Sequence, residues 1–184
     1  VNMDASILEG NKRKNYSKLL KKTLKHQFLN FYTNVFEQKF EKIDKKSKLY
    51  LYKSLKQNLE MENYLNCKSF EKRSNITKMR ISDHNLMIEK GRHLKIPREK
   101  RLCTSCNTME DEAHFILYCK KIAKLRDNFI GNVIKHMPDF MSWQENEKIK
   151  YLLCPSTSKE VESLGSYFKQ ALELFVSFWN NKIC

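Results

Sequence analysis

Only four glycines and three prolines punctuate this 184-residue chain. Folds made of many short strands need both residues for their turns, so the scarcity argues against an all-β architecture. No stretch approaches the ~20 apolar residues of a membrane-spanning helix, and no basic-then-apolar leader opens the sequence. An opening Val1 in place of Met points to a fragment or a trimmed chain. Catalytic groupings are missing as well. There is no Ser/His/Asp set, no paired carboxylates and no Gly-rich phosphate loop, so an enzyme is not expected. The six cysteines stand at 67, 103, 106, 119, 154 and 184, three of them crowded into residues 103–119. That is not the pattern of a disulfide framework. It fits a reducing, intracellular setting, nuclear or cytoplasmic, with one metal site.

What is present is enough to bury a core: 41% of residues are hydrophobic and 11% aromatic. We expect an all-α protein, an irregular helical bundle with an embedded CCHC zinc knuckle. The net charge of +14 is uneven. Residues 1–60 hold 14 Lys and Arg against 6 Asp and Glu, and residues 61–126 hold 15 against 8. Residues 127–184 hold 6 against 7 and are neutral packing sequence. Such asymmetry favours a polyanionic partner, nucleic acid first and acidic membranes second; a lysine-rich coding bias would give the same surplus.

Apolar residues step by three and four over 16–41, through Leu20, Leu24, Phe28, Phe31, Tyr32, Val35 and Phe36, as on one face of a long helix. Asp44 resembles the N-cap of a second helix bearing Leu51, Leu55 and Leu59. A third covers 68–80, with Phe70, Ile76 and Met79 inward and Lys72, Arg73, Lys78 and Arg80 outward. Asp83 is expected to cap a short helix that stops at Gly91, where a left-handed residue is cheapest. Residues 92–102 read as an extended basic connector around Pro97. Helices at 120–136, 145–153 and 157–182 complete the chain, the last with Val161, Leu164, Phe168, Leu172, Phe175, Val176 and Trp179 inward. Three segments are therefore expected. They are basic N-terminal helices over 1–60, a zinc-knuckle core over 61–136, and neutral C-terminal helices over 137–184 that pack on that core in one compact unit.

Cys103 and Cys106 lie two apart, so one tight turn aims both sulfurs at one point. His114 and Cys119 follow on a segment opening with Glu110-Asp111-Glu112, acidic residues that suit a helix N-terminus. On that reading His114 rides on the first turns and Cys119 near the helix end. Three thiolates and an imidazole make a closed tetrahedral set for structural Zn²⁺, with no position left for a reactive water. The plainer alternative is small buried cysteines and a core histidine. His26, His84, His93 and His136 have no comparable neighbours and read as structural or exposed; Cys67, Cys154 and Cys184 read as ordinary thiols.

The run Ile76-Thr77-Lys78-Met79-Arg80-Ile81-Ser82-Asp83-His84-Asn85-Leu86-Met87-Ile88-Glu89-Lys90-Gly91-Arg92 precedes Ile96-Pro97-Arg98, the Cys pair and Glu110-Asp111-Glu112-Ala113-His114. This combination resembles the C-terminal zinc-knuckle (CCHC) region downstream of the reverse transcriptase domain in non-LTR retrotransposon polyproteins, over about residues 60–130. The resemblance implies an accessory module that grips RNA or DNA beside a polymerase, covalently linked or separate, with Cys103, Cys106, His114 and Cys119 as metal ligands. There is no Tyr/Phe-x-Asp-Asp motif, so reverse transcription by this chain is excluded. Pro138-Asp139 is not followed by the Glu-x-Lys that an endonuclease of such elements would carry.

The expected function is non-catalytic nucleic-acid binding, RNA or DNA, with no membrane partner. The candidate contacts are Arg80, Arg92, Lys95, Arg98, Lys100, Arg101, Lys120 and Lys121, with Phe115 or Tyr118 as stacking platforms for single strands. Each charge has a plainer alternative as a solvated helix face; Arg92 can pair with Glu89, and Arg80 with Asp83. The second expectation is a protein-interaction or scaffolding domain of a domesticated retroelement relic, in which the knuckle only pins helices together.

Overall fold

The computed structural model describes residues 5–56 and 58–180, with side chains from residue 15 to residue 175. Seven α-helices lie among them: α1 (Ala5–Glu41), α2 (Tyr50–Leu55), α3 (Phe70–Arg80), α4 (Met87–His93), α5 (Ala123–His136), α6 (Glu145–Leu153) and α7 (Ser158–Asn180). Short 3-10 turns and one wide turn at His114–Tyr118 join them. Among the described residues there is no strand, only an isolated antiparallel bridge between Leu102 and Met109. The protein is all-α, as expected. No helix among the described residues is long and apolar enough to cross a membrane.

The chain divides into two compact units, Val1–Asp44 and Lys45–Cys184, with the boundary at residue 44 rather than 60. The first is essentially α1, 37 residues long. Its apolar row does not mark one buried face. Tyr16, Leu20, Leu24, Phe28, Tyr32 and Phe36 recur every fourth residue, and each such step drifts by about 40° on a helix of 3.6 residues per turn. The row therefore winds around α1, and Tyr16, Leu20, Leu24, Phe28 and Phe31 are exposed.

The second unit holds the core. α7 is its spine: Val161, Leu164, Phe168 and Phe175 are buried as the periodicity predicts, Leu172 is half-buried, and Tyr167 and Ala171 are buried as well. The side chains of Val176 and Trp179, the end of the predicted helix at 181–182 and Cys184 lie outside the described residues. α3 crosses α7 closely. A Cβ on Gly165 would lie 2.5 Å from Lys72 Cβ and 2.9 Å from the Lys72 carbonyl oxygen, so only glycine permits this approach. The segment after the cysteine pair docks on the same spine. Phe115 meets Phe175 edge to face at 5.3 Å, Tyr167 stacks on Phe129 at 4.4 Å, and the Tyr167 hydroxyl donates to the Ile116 carbonyl. The segment that carries His114 is thus fixed to the longest helix of the core.

Several local expectations are corrected. α2 is six residues long and starts after Leu49, so Asp44 does not cap it and Leu59 lies beyond its end, exposed. Phe70, expected inward, is the first residue of α3 and is exposed, with the Arg73 guanidinium over its ring. Ser69 caps that helix by accepting from the Lys72 N–H. Gly91 does not end α4; the helix runs to His93 with Gly91 buried inside it. The need for glycine there is steric, because Arg101 Cγ lies 2.7 Å from where a Cβ would be. Asp83 caps nothing and pairs with Lys48 at 3.3 Å.

Candidate metal centre

The two halves of the centre come from unlike local structures. Residues 102–110 form a tight hairpin-like loop. The Cys103 N–H donates to the Thr108 carbonyl at 2.8 Å, the Asn107 N–H to the Cys103 carbonyl at 2.8 Å, and the Glu110 N–H to the Arg101 carbonyl at 2.9 Å. Asn107 supplies the left-handed residue (φ 54) that such a return needs, a conformation asparagine tolerates better than most. The second half opens at Asp111, whose carboxylate accepts from the His114 N–H at 2.9 Å and caps the turn.

That turn closes wide. The Cys119 N–H donates to the His114 carbonyl five residues back, at 2.8 Å. In an α-helix, residues five apart are rotated about 140° from one another and could not share a ligand. The π-type closure brings them to one side. Cys119 then leaves in extended backbone, and α5 begins only at Ala123. The regular helix expected to carry His114 and Cys119 is therefore this single wide turn, and its irregularity is what aligns the two ligands.

The Sγ atoms of Cys103, Cys106 and Cys119 and a ring nitrogen of His114 all lie within 4.8 Å of one another. Cys103, Cys119 and His114 are buried and Cys106 is half-buried. Cys103 Sγ and Cys119 Sγ stand 3.9 Å apart, far outside the roughly 2 Å of a disulfide. His114 Nδ1 is held at 3.1 Å by the Thr108 hydroxyl, while Nε2 is buried with no hydrogen-bond partner. A buried imidazole nitrogen without a partner is costly unless something else satisfies it. A cation at the centre of three sulfurs does so, and these residues fit a metal ion.

The surroundings favour the ligand forms such an ion requires. Burial lowers the His114 pKa, with Lys121 and Arg126 adding to the effect, so the imidazole is neutral. Burial pushes the Cys119 thiol up to about 12, and raises Cys103 against backbone N–H groups of Ser105 and Cys106 that favour its thiolate. The Lys121 N–H likewise favours the Cys119 thiolate, and the Lys120 N–H lies 3.3 Å from Cys106 Sγ. N–H donors are thus aimed at sulfurs that burial alone would keep protonated. A bound cation offsets that burial.

No protein-family model, no curated protein and no solved structure matches this chain.

The motif leading into the centre forms its supporting shell. Glu112 Oε1 accepts from His84 Nε2 at 3.0 Å and from the Ser82 hydroxyl. Burial raises the Glu112 pKa, but these two bonds outweigh it and hold the carboxyl below its usual value. Glu110 is fully buried; its Oε1 accepts from the Met87 N–H at 2.9 Å, and Lys121 Nζ stands 3.8 Å from its Oε2. Glu110 therefore satisfies the start of α4 rather than opening a helix of its own.

The eight basic candidates separate. Arg80 is fully buried: it pairs with Glu62 at 2.8 Å, donates to the Leu153 carbonyl, and lies 3.2 Å from Cys154 Sγ. Its guanidinium also sits over the Tyr64 ring at 5.1 Å. Charge alone placed it outward; partners from distant segments hold it inside. Lys121 has only 4% of its side chain exposed and lies over the Phe175 ring at 4.2 Å. Arg92 pairs with Glu89, as its plainer alternative had it. Arg101 donates to the Ile96 and Ile88 carbonyls, each at 2.9 Å. Lys95, Lys100 and Lys120 are exposed and Arg98 is half-buried.

Sequence reasoning missed the cleft that Arg92, Arg98 and Arg101 share with Lys46, Lys48 and Lys150. Those lysines come from before α2 and from α6, and nothing local ties them to the knuckle.

Proposed function

We propose that this chain is a non-catalytic nucleic-acid-binding module whose metal centre is structural zinc, held by Cys103, Cys106, His114 and Cys119. Donor chemistry supports zinc: three thiolates and one imidazole form one of its closed structural sets. A tetrahedral zinc with metal–sulfur bonds of about 2.3 Å spaces its sulfurs about 3.8 Å apart. The Cys103–Cys119 separation of 3.9 Å agrees. Bound there, zinc supplies folding free energy and charge neutralisation. Cysteines so dependent on their ionised form imply a reducing, intracellular setting.

The nucleic-acid reading rests on the charge surplus and on the cations that remain at the surface beside the centre, Lys95, Arg98, Lys100 and Lys120. A retroelement origin is the further part of this reading. Its support is that the residues carrying the resemblance are one another's partners: Ser82 and His84 with Glu112, the Met87 N–H with Glu110, Arg92 with Glu89. An upstream polymerase palm in the coding sequence would agree with it.

Anisotropy of labelled single- and double-stranded oligonucleotides, titrated with zinc-loaded full chain over a salt series, tests the binding. Micromolar affinity that falls steeply with salt is the expected result; no binding at ~150 mM salt would sink it. A second reading, a protein-interaction scaffold, is favoured by one observation, the exposed aromatic and leucine row of α1.

A further inference from the structure

Outside the metal centre, one cleft gathers cations from sequence-distant segments. It has a volume of about 390 Å³ and is walled by the stretch before α2 and α2 itself, by α4 with the 98–101 turn, and by α6. Each carboxylate on its wall already has a donor. Glu89 accepts from Arg92 and His93, and Asp111 from the His114 N–H. Glu112 accepts from Ser82 and His84, and Glu145 from the Tyr118 hydroxyl.

The cations are less fully committed. Among the described residues, Arg98, Arg101 and Lys150 close no ion pair; Arg98 and Asp111 attract one another without one. Arg101 is the distinctive member. Its Nε and Nη1 are bound to the carbonyls of Ile96 and Ile88, and its stem lies against Gly91, so a full positive charge is held in one place with no carboxylate to cancel it. A fixed guanidinium costs little further ordering when it meets a phosphate, and its fork suits one. Tyr50, exposed at 41%, also lines the cleft and presents a ring to a base. A concavity of this size takes a nucleotide. A duplex is too wide for it.

We propose that this cleft binds one nucleotide unit of a single-stranded nucleic acid, with Arg98, Arg101 and Lys150 contacting phosphate. The inference rests on the nucleic-acid reading above and narrows it to a site and a strand state.

The test uses zinc-loaded full chain, a labelled single-stranded oligothymidylate and its duplex as competitor. Arg98→Ala and Lys150→Ala are compared with Lys124→Ala and Lys135→Ala, exposed lysines that neither line the cleft nor stand among the proposed contacts; circular dichroism confirms that each variant is folded. The cleft variants should weaken binding ~5–10-fold each and lower the salt slope by about 0.7 each, the value for one single-strand phosphate contact. The controls should change binding less than ~2-fold. Wild-type binding with unaffected cleft variants would overturn the cleft and leave the general reading standing. Equal competition by duplex would overturn the single-strand assignment. Absence of any wild-type binding would remove the general reading and this inference with it.

Discussion

Thr108 Oγ1 stands 3.1 Å from His114 Nδ1, while the buried Nε2 of the same ring has no hydrogen-bond partner. With the proton on Nδ1 donated to the hydroxyl, the Nε2 lone pair is free for a metal. Sequence offered no reason to single out Thr108, because the loop that returns it to His114 is a tertiary feature. Thr108→Val keeps the shape and removes the acceptor. We expect zinc affinity to fall ~10–100-fold, the usual loss for an outer-shell partner. Competition with a chromophoric chelator measures it, and unchanged affinity would show that the ring is oriented by packing alone.

Stoichiometric metal is the next expectation. Protein purified without chelator should carry about one zinc per chain, and its removal should broaden and lower the thermal transition, because the closed set contributes folding free energy. Metal content under ~0.5 equivalents would sink the site. The high thiol pKa values fix the sign of the pH dependence: Cys103 and Cys119 are protonated in the metal-free protein near neutrality, so zinc binding releases protons and weakens as pH falls.

Arg80 should behave as a core residue. Arg80→Met strips Glu62 of its 2.8 Å partner and leaves it Lys56 alone at 3.1 Å. A loss on the order of 3 kcal/mol is expected, because one half of a buried pair is stranded. Lys95→Ala, at an exposed site, should stay within about 0.5 kcal/mol. Urea denaturation of the two variants distinguishes them, and equal stability would mean that Arg80 is not buried in solution.

The contrast shows what the sequence could reveal. The cluster of Cys103, Cys106, His114 and Cys119 was legible because its spacing lies within a single short window, where local geometry dictates convergence. The wide turn that aligns His114 with Cys119 was not, since apolar periodicity over 115–118 reads the same for an α-helix as for a π-closure. Arg80 was misplaced because a charged residue beside Lys78 on a helix looks solvated, and its partners Glu62 and Leu153 lie far away in sequence. Gly91 reads as a terminator in sequence because glycine's backbone freedom is visible locally, whereas the arrival of Arg101 is not. The row on α1 was legible as apolar, but its exposure was not, because such a row reads the same whether or not anything covers it.

Acid should act on α4. Burial pushes Glu89 up, but Arg92, Lys48 and His93 outweigh it and hold its carboxyl below the usual value. A carboxylate with a lowered folded-state pKa contributes stability above its unfolded value, near 4.5, and loses it as pH falls through the folded value. The stability difference between wild type and Glu89→Gln should therefore be largest near neutrality and shrink below about pH 4.5. Denaturation of both proteins between about pH 3 and 7 reads this directly. A constant difference would assign the role of Glu89 to shape rather than charge.

Three glycines should give three different answers to the same substitution. Gly131 lies inside α5 with nothing within 4 Å of its absent Cβ, so Gly131→Ala removes backbone entropy from the unfolded chain at no steric cost. It should stabilise by about 0.5–1 kcal/mol. At Gly91 the obstacle is the Arg101 side chain, which is flexible but held by two carbonyl bonds. Alanine there should cost about 1–2 kcal/mol as Arg101 shifts. At Gly165 the obstacle is the α3 backbone itself, with Lys72 Cα 2.8 Å away, and neither helix can yield without separating. Gly165→Ala should cost about 3 kcal/mol or more, at the upper end of overpacking effects. The order matters more than the sizes: if Gly165→Ala proved as mild as Gly91→Ala in thermal unfolding, the close crossing of α3 on α7 would be wrong.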